Sequence, residues 1–491
     1  MSSISVKQET QYNTAKWWQI GFFALNNTAT NLYLFIIGFV SYYVTGIAGL
    51  AVVVASAIIG GSRVFDAITD PIIGFFIDKT EGKFGKFRPL MIVGNLILAS
   101  SVLLIYSVTH LLPESMQFLF FALMYGVYII GYTLQTACTK AAQTVLTNHP
   151  KQRPLFTIYD AIYNIGVFTG GQIFVANYLM EKHGDFTMPL FIELNMYGML
   201  LSGLFTILAV VAIWQKDRKE FFGLAKNTVK TKFRDYWPVL KGNRPLQMLV
   251  LAASTDKITV MVLRQPAVFV MFFGIVIGDY ALSGTMSAIT IIPAVLITVL
   301  GVHLARKTDL KNALIKATWI GIVSAVFLFI FFLVIDPSTV TLDNIGLTTV
   351  IFLVAYCVLQ GIEKLTTPLV MPMIADVADY ETYKTGRYVP GMIGTIFSFI
   401  DKIMSSLAPA LVGLMAGMIG YKDEFPQVGE ALTTPLLIAT LILMFGVPIV
   451  GWTISLISMK FYNLDRQKME EIQKAIADMK ETESDEKHQA L

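Results

Sequence analysis

Charge is scarce in this chain: Asp, Glu, Lys and Arg make up 14% of its 491 residues, against about 25% in soluble domains. Hydrophobic residues make up 55%. So much apolar surface with so little charge to solvate it reads as a polytopic membrane protein. Cysteine is almost absent, and Cys138 and Cys357 sit in separate apolar runs, which argues against a disulfide framework or a thiolate metal centre. The five histidines, His110, His149, His183, His303 and His488, fall in loops, near span ends or in the tail. None stands at mid-membrane beside a nucleophile, so no enzyme is expected. No GxxxxGK phosphate loop occurs, which excludes the usual ATP-driven motor. The net charge of +3 is spread over short loops and leaves no nucleic-acid footprint. The segment MSSISVKQETQYNTAKWW has no short apolar core ahead of a small-residue cleavage site, so no removable signal is read in it.

What is present is apolar length. Runs at 17–46, 48–77, 88–109, 116–147, 154–180, 190–214, 246–277, 282–304, 313–335, 345–375, 389–420 and 431–460 each supply the roughly 20 residues that cross a bilayer. The loops on the N-terminal side hold about twenty Lys and Arg, whereas the opposite loops hold essentially Lys182 and Lys422; positive charge stays inside, so both termini are expected in the cytoplasm. The hydrophilic segment from Gln215 to Pro245 divides the spans six and six, and GFFIDKT at 74–80 is echoed by GVHLARKT at 301–308. The expected fold is therefore an all-α polytopic membrane protein: twelve transmembrane helices in two pseudo-symmetric six-helix halves, as in the major facilitator architecture. The parts are a cytoplasmic N-terminal segment 1–16, a first half 17–214, a central cytoplasmic loop 215–245, a second half 246–461 and a cytoplasmic tail 462–491, read as a charged helix with a frayed end.

The densest chemistry lies in RVFDAITDPIIGFFIDKTEGKFGKFRP, residues 63–89. An ionised carboxylate inside a membrane costs at least about 2.5–3.5 kcal/mol on insertion scales. Asp66 and Asp70, four apart, share a helical face, with Arg63 one turn earlier; two carboxylates and a guanidinium on one stripe suit a cation. Beyond Gly74 the segment turns aqueous, and Asp78, Lys79, Lys86 and Arg88 suggest a cytoplasmic gate or latch. On the fourth span two polar rows, Gln135, Thr139, Gln143, Thr147 and Thr136, Lys140, Thr144, are expected to face a wet cavity, because lipid would leave them unsatisfied. The fifth adds Tyr159, Asp160, Tyr163 and Asn164, a set suited to a polyol, with Tyr33, Tyr132 or Tyr163 as the flat apolar plate a sugar needs. Trp17, Trp18, Trp214 and Trp452 sit near span ends and read as belt anchors. Asp256, Lys257, Arg264, Glu363 and Lys364 are read as neutralising one another between helices.

The 63–89 block resembles the signature of the glycoside–pentoside–hexuronide:cation symporters, the branch that includes the melibiose and glucuronide carriers. MPMIADVADYETYKTGRYVPGMIGTIFSFIDK, residues 371–402, resembles the same family between the tenth and eleventh spans. The resemblance covers nearly the whole chain. It implies that Asp66 and Asp70 bind or gate the coupling cation, serving as metal ligands if the ion is Na⁺, and that Lys402 approaches the same site. It also implies substrate contacts at Asn27, Asn31, Arg63, Thr136, Lys140, Gln143, Asp160, Tyr163 and Asn164. The chain departs from the pattern where the melibiose carrier has charge: its sugar-contacting aspartate aligns with Asn27, its fourth-helix acid and Trp with Thr136 and Lys140, and its fifth-helix basic residue with Asp160.

The expected function is secondary active symport of a glycoside, pentoside or related sugar, driven by Na⁺ or H⁺ through alternating access. No cofactor beyond that ion is expected. The partners are a small sugar, the cation and membrane lipid, with no nucleic acid, in a monomer resident as a multi-pass protein in a bacterial cell membrane. The alternative is a carrier of anionic sugar acids working by uniport, exchange or export through membrane-embedded lysines. A non-transport membrane protein would need a catalytic or signalling constellation that the sequence does not display.

Overall fold

The computed structural model describes residues 13–80, 84–147, 152–218, 236–386 and 390–489. Among them the regular elements are helices and no strand occurs. This is what a hydrocarbon solvent demands of an apolar chain, since a helix satisfies its backbone groups internally. Eleven helices among the described residues are long and apolar enough to cross a membrane. In chain order the helices are α1 (Trp17–Gly46), α2 (Val52–Lys79), α3 (Phe87–Leu111), α4 (Glu114–Leu146), α5 (153–183), α6 (Met188–Ile213), α7 (Arg244–Leu263, continued after a break by Pro266–Ile277), α8 (Ala281–Ala305), α9 (Leu310–Val334), α10 (Leu347–Thr385), α11 (Pro390–Met418) and α12 (Thr434–Phe461).

The span expected at 154–180 is α5, which stands outside that eleven; its α turns alternate with π turns at Gly166–Gly170 and Phe174–Leu179. Wide turns of this kind mark places where a helix departs from regular packing, often at working sites. Intrahelical prolines, Pro368 and Pro372 in α10 and Pro409 in α11, each remove one backbone donor and bend the helix. Several hydroxyls buried in the helices are satisfied by the carbonyl one turn back, as at Thr30, Thr139 and Thr440. A polar residue placed this way does not need water.

The chain forms two compact units. The first contains Met1–Ala48, Phe65–Gly171 and Thr187–Thr228; the second contains Gly49–Val64, Gln172–Phe186 and Val229–Leu491. Helices α2 and α5 are thus each shared, the first dividing after Val64 and the second after Gly171. The first unit has a core of Ile20, Phe23, Ile73, Phe87, Met91, Cys138, Phe156 and Ala209. The second is centred on an aromatic cluster in which Phe272 lies 5.1 Å from Phe332 and 5.6 Å from Phe445. Ile68, Ile72, Phe75 and Phe76 of α2 are exposed, apolar surface of the kind that lipid covers.

Trp452 departs from the sequence reading. It is 1% exposed and packs onto Gly321 of α9, so it is a core residue of the second unit and not a belt anchor. Trp17 and Trp214, by contrast, are exposed. The tail begins a further helix, Arg466–Gln489, whose Gln473 donates to Asp379 at the end of α10 at 2.6 Å.

In the loop between α11 and α12 the Tyr421 hydroxyl donates to Glu430 at 2.5 Å. Burial and the neighbouring carboxylate push this phenol up to about 12 from an ordinary 10.0. Its contribution to stability is therefore complete below pH 10.0 and lost as pH rises through about 12. Thermal unfolding of wild type and Tyr421→Phe is expected to converge across that window; a constant difference between them would reject the tie.

Candidate functional site

In the first unit α1 and α5 are joined by a ladder of polar side chains. Asn27 of α1 donates to Asp160 Oδ1 at 2.6 Å, and Asn164, one turn along α5, donates to Oδ2 at 3.1 Å. Asn31 donates to the Asn164 carbonyl oxygen at 2.5 Å. The spacing explains the ladder: Asn27 and Asn31, and Asp160 and Asn164, are each four apart, so two i,i+4 faces meet rung by rung. Tyr163 is half-buried and its ring lies 5.9 Å from that of Tyr159. Carboxylate, amides and an aromatic face are thus gathered on one side of α5. This is the donor–acceptor mixture that hydroxyl-rich ligands use.

Four predicted substrate residues, Asn27, Asn31, Asp160 and Asn164, therefore form one hydrogen-bonded network, with Tyr163 on the same helix. The α4 residues do not join it through any described hydrogen bond. Thr136 bonds back to the carbonyls of Tyr132 and Thr133, Gln143 is half-buried, and Lys140 is exposed with no ion pair among the described residues.

The two polar rows of α4 also separate. Gln135, Thr139 and Thr147 are buried and bonded inside the protein: Gln135 donates to the Met91 carbonyl at 2.8 Å, Thr139 accepts from Asn26 at 2.7 Å, and Thr147 donates to Gln152 at 2.7 Å. They glue helices together and do not line a wet cavity. Thr136, Lys140 and Thr144 run from half-buried to exposed. Tyr33 is fully buried and cannot serve as a sugar plate. Tyr132 and Tyr163, half-buried, still can.

The paired carboxylates of α2 differ in environment. Asp66 is 2% exposed and accepts from the Thr133 hydroxyl of α4 at 2.7 Å, with Thr69 a further 3.3 Å from Thr133. Asp70 is exposed. Four residues leave an offset of about 40° around a helix, enough to put one carboxylate against α4 and the other at its edge. Arg63, one turn earlier, is half-buried and falls in the second unit. Thr133 was not singled out from the sequence, although its place on the same helix shortly before Thr136 and Thr139 was a signal.

At one end of the first unit two of the four residues read as a gate, Lys86 and Arg88, assemble around a group the sequence did not single out. Asp217, just past α6 and 1% exposed, accepts from the backbone N–H of Lys86, Phe87 and Arg88 at 2.9, 2.9 and 3.0 Å, and pairs with Arg88 Nε at 3.4 Å. It fills the N-terminus of α3, where unsatisfied donors and the helix dipole favour an anion. Arg88 in turn covers the Trp214 ring at 4.4 Å. Gly85, at φ +91°, makes the turn that brings these N–H groups to the carboxylate. Lys79 lies over Phe75 at 4.2 Å, and the side chain of Asp78 lies outside the described residues. A single acid in the basic run WQKDRK was the available signal for Asp217.

In the second unit Lys257 of α7 and Asp401 of α11 form an ion pair at 3.1 Å with side chains 33% and 34% exposed. Lys402 beside it is half-buried on α11.

Residues 19–466 match the family model for MFS/sugar transport proteins. The chain is 25% identical over 460 residues to the uncharacterized symporter YnaJ of Bacillus subtilis, covering 91% of each. It is 21% identical over 463 residues to the isoprimeverose transporter of Lactiplantibacillus pentosus, covering 92% of this chain and 90% of that one. Its fold resembles that in the crystal structure of nucleoside transporter NupG, with a TM-score of 0.61 at 12% identity over 91% of this chain and 99% of the other.

Proposed function

As a member of the MFS/sugar transport protein family, this chain moves sugar across a membrane, and we propose that it does so by cation-coupled symport of a glycoside or pentoside. It is a multi-pass integral protein of the bacterial cell membrane with the major facilitator fold. The observation that carries the coupling reading is Asp66: a buried carboxylate on a membrane helix, held by the Thr133 hydroxyl at 2.7 Å, one turn from a second, exposed carboxylate, Asp70. A bound Na⁺ or H⁺ at this pair offsets the cost of charge in a low-dielectric path. Alternating access then proceeds only with the ion aboard, with both termini cytoplasmic.

The Asn27–Asp160–Asn164–Asn31 ladder is the sugar contact in this scheme. Two amide donors already hold the Asp160 carboxylate, leaving lone pairs for ligand hydroxyls, and Tyr163 supplies the ring face. The similarity to the isoprimeverose transporter agrees with a saccharide substrate. Exposed Lys140, without an ion pair among the described residues, favours a second reading in which a sugar acid places its carboxylate there.

A thermal-shift screen of neutral glycosides, pentosides and uronates on the purified protein, each with and without Na⁺ and at several pH values, separates these readings. Symport predicts that one neutral sugar protects, and protects more with the coupling ion present. Asp160→Ala is expected to weaken that protection at least tenfold in ligand concentration while leaving protection by the ion alone intact. Protection by uronates only, lost in Lys140→Gln, would establish the second reading instead.

A further inference from the structure

Asp256 of α7 is a buried charge for which the transport scheme has no use. Its side chain is 5% exposed, and neither carboxylate oxygen finds a hydrogen-bond donor among the described residues. It lies on the seam between α7 and α12, which is tight: a methyl group on Gly451 of α12 would sit 2.6 Å from Thr259 Oγ1 and 3.0 Å from the Thr255 carbonyl oxygen. Thr255 and Thr259 flank Asp256, but their hydroxyls are committed to their own helix, at Ala252 and Thr255. One turn beyond Gly451 stands Ser455, 0% exposed, its hydroxyl also without a partner. Ser455 interacts with Asp256 across the seam without completing a hydrogen bond to it.

The charged groups of the helices packed against α7 are engaged elsewhere. Lys257 is paired with Asp401 of α11. Glu363 and Lys364 of α10 interact with each other and with Arg264. Lys402 of α11 has contacts of its own, and α12 brings only Lys460, in its last turn. An ionised Asp256 would thus lack water, donor and counter-ion together, a cost of several kcal/mol. The acid form carries no charge and has an O–H to give, and the Ser455 hydroxyl is an acceptor without an occupant. A metal cation fits poorly, because hard cations take about six oxygens and the uncommitted oxygens described on this seam are two of the carboxylate and one hydroxyl.

We propose that Asp256 is a proton-binding site of the second unit, holding its proton toward Ser455 across the α7–α12 seam, distinct from the α2 carboxylates of the first unit. The site neither requires sugar nor depends on the coupling role of Asp66. A small movement of α12 along α7 closes the Asp256–Ser455 hydrogen bond or admits water to take the proton.

Infrared spectroscopy of the full-length protein in detergent, without substrate, in H₂O and in D₂O, tests this directly. At neutral pH the wild type is expected to show a protonated-carboxyl stretch that shifts in D₂O, with the intensity of one carboxyl per chain lost in Asp256→Asn and kept in Asp66→Asn. Equal carboxyl intensity in wild type and Asp256→Asn overturns the proposal. Should Asp256→Asn not insert, Ser455→Ala replaces it: loss of the acceptor is expected to move the band to higher frequency, and a spectrum that superposes on wild type overturns the proposal equally.

Discussion

Asp66→Asn and Asp70→Asn are each expected to abolish accumulation of sugar against its gradient while leaving the protein inserted and folded. Asparagine keeps the shape of the side chain, and at position 66 its carbonyl oxygen can still accept from Thr133, so the packing of α2 on α4 survives. What disappears is the negative charge that an ion neutralises. Uptake into energised vesicles should fall to simple equilibration, whereas exchange of sugar across the membrane, which needs no net ion movement, should persist. The Thr133 contact adds a graded version. A hydrogen bond donated to an ionised carboxylate holds the ion-free form by about 1.5–3 kcal/mol, so Thr133→Val is expected to tighten apparent affinity for the coupling ion by roughly tenfold or more without eliminating transport. Full uphill accumulation in both aspartate variants would remove the α2 carboxylates from the coupling scheme.

Asp217→Ala is expected to be the most destabilising single change in the first unit, by about 3–5 kcal/mol, the range seen when one partner of a buried ion pair is removed. Three backbone donors at the start of α3 lose their shared acceptor and Arg88 loses its counter-ion. Asp217→Asn should cost less, because its carbonyl oxygen replaces part of the set. Gly85→Ala reaches the same contact from the other side. Its φ of +91° disfavours any L residue, and the added methyl would lie 2.6 Å from Asp217 Cγ and 2.8 Å from the Asp217 carbonyl oxygen. Left-handed backbone alone costs roughly 1–2 kcal/mol, so a clear fall in melting temperature is expected. Thermal unfolding of the purified variants, with Lys79→Ala as the exposed control, measures all of this; an unchanged melting temperature in Asp217→Ala would show that the α3 terminus is held by something else.

How far the residues spoke for themselves varies with the range of the interaction. The membrane class and the twelve spans followed from apolar runs, because hydrocarbon leaves the backbone no alternative to the helix. The Asn27–Asp160 and Asn31–Asn164 rungs were legible as candidates, since each helix carried its pair at a spacing of four. Their partnership was not, because nothing in either run states which helices adjoin. The same limit hid Thr133 beside Asp66 and Asp217 at the start of α3, each a contact between segments far apart in the chain. It also misassigned half of the polar face of α4, where a periodic row of Gln and Thr looks alike whether it meets water or the amides and carbonyls of a neighbouring helix.

The sequence by itself determined that this is a helical membrane protein, how many times the chain crosses, and where its rare charges lie, since hydrophobicity and helical period act along a single segment. Only the tertiary structure decided which of those charges are held, which are exposed and which, like Asp256, are buried without a donor. Burial and partnership are properties of the space between helices, and that space exists only once they have packed.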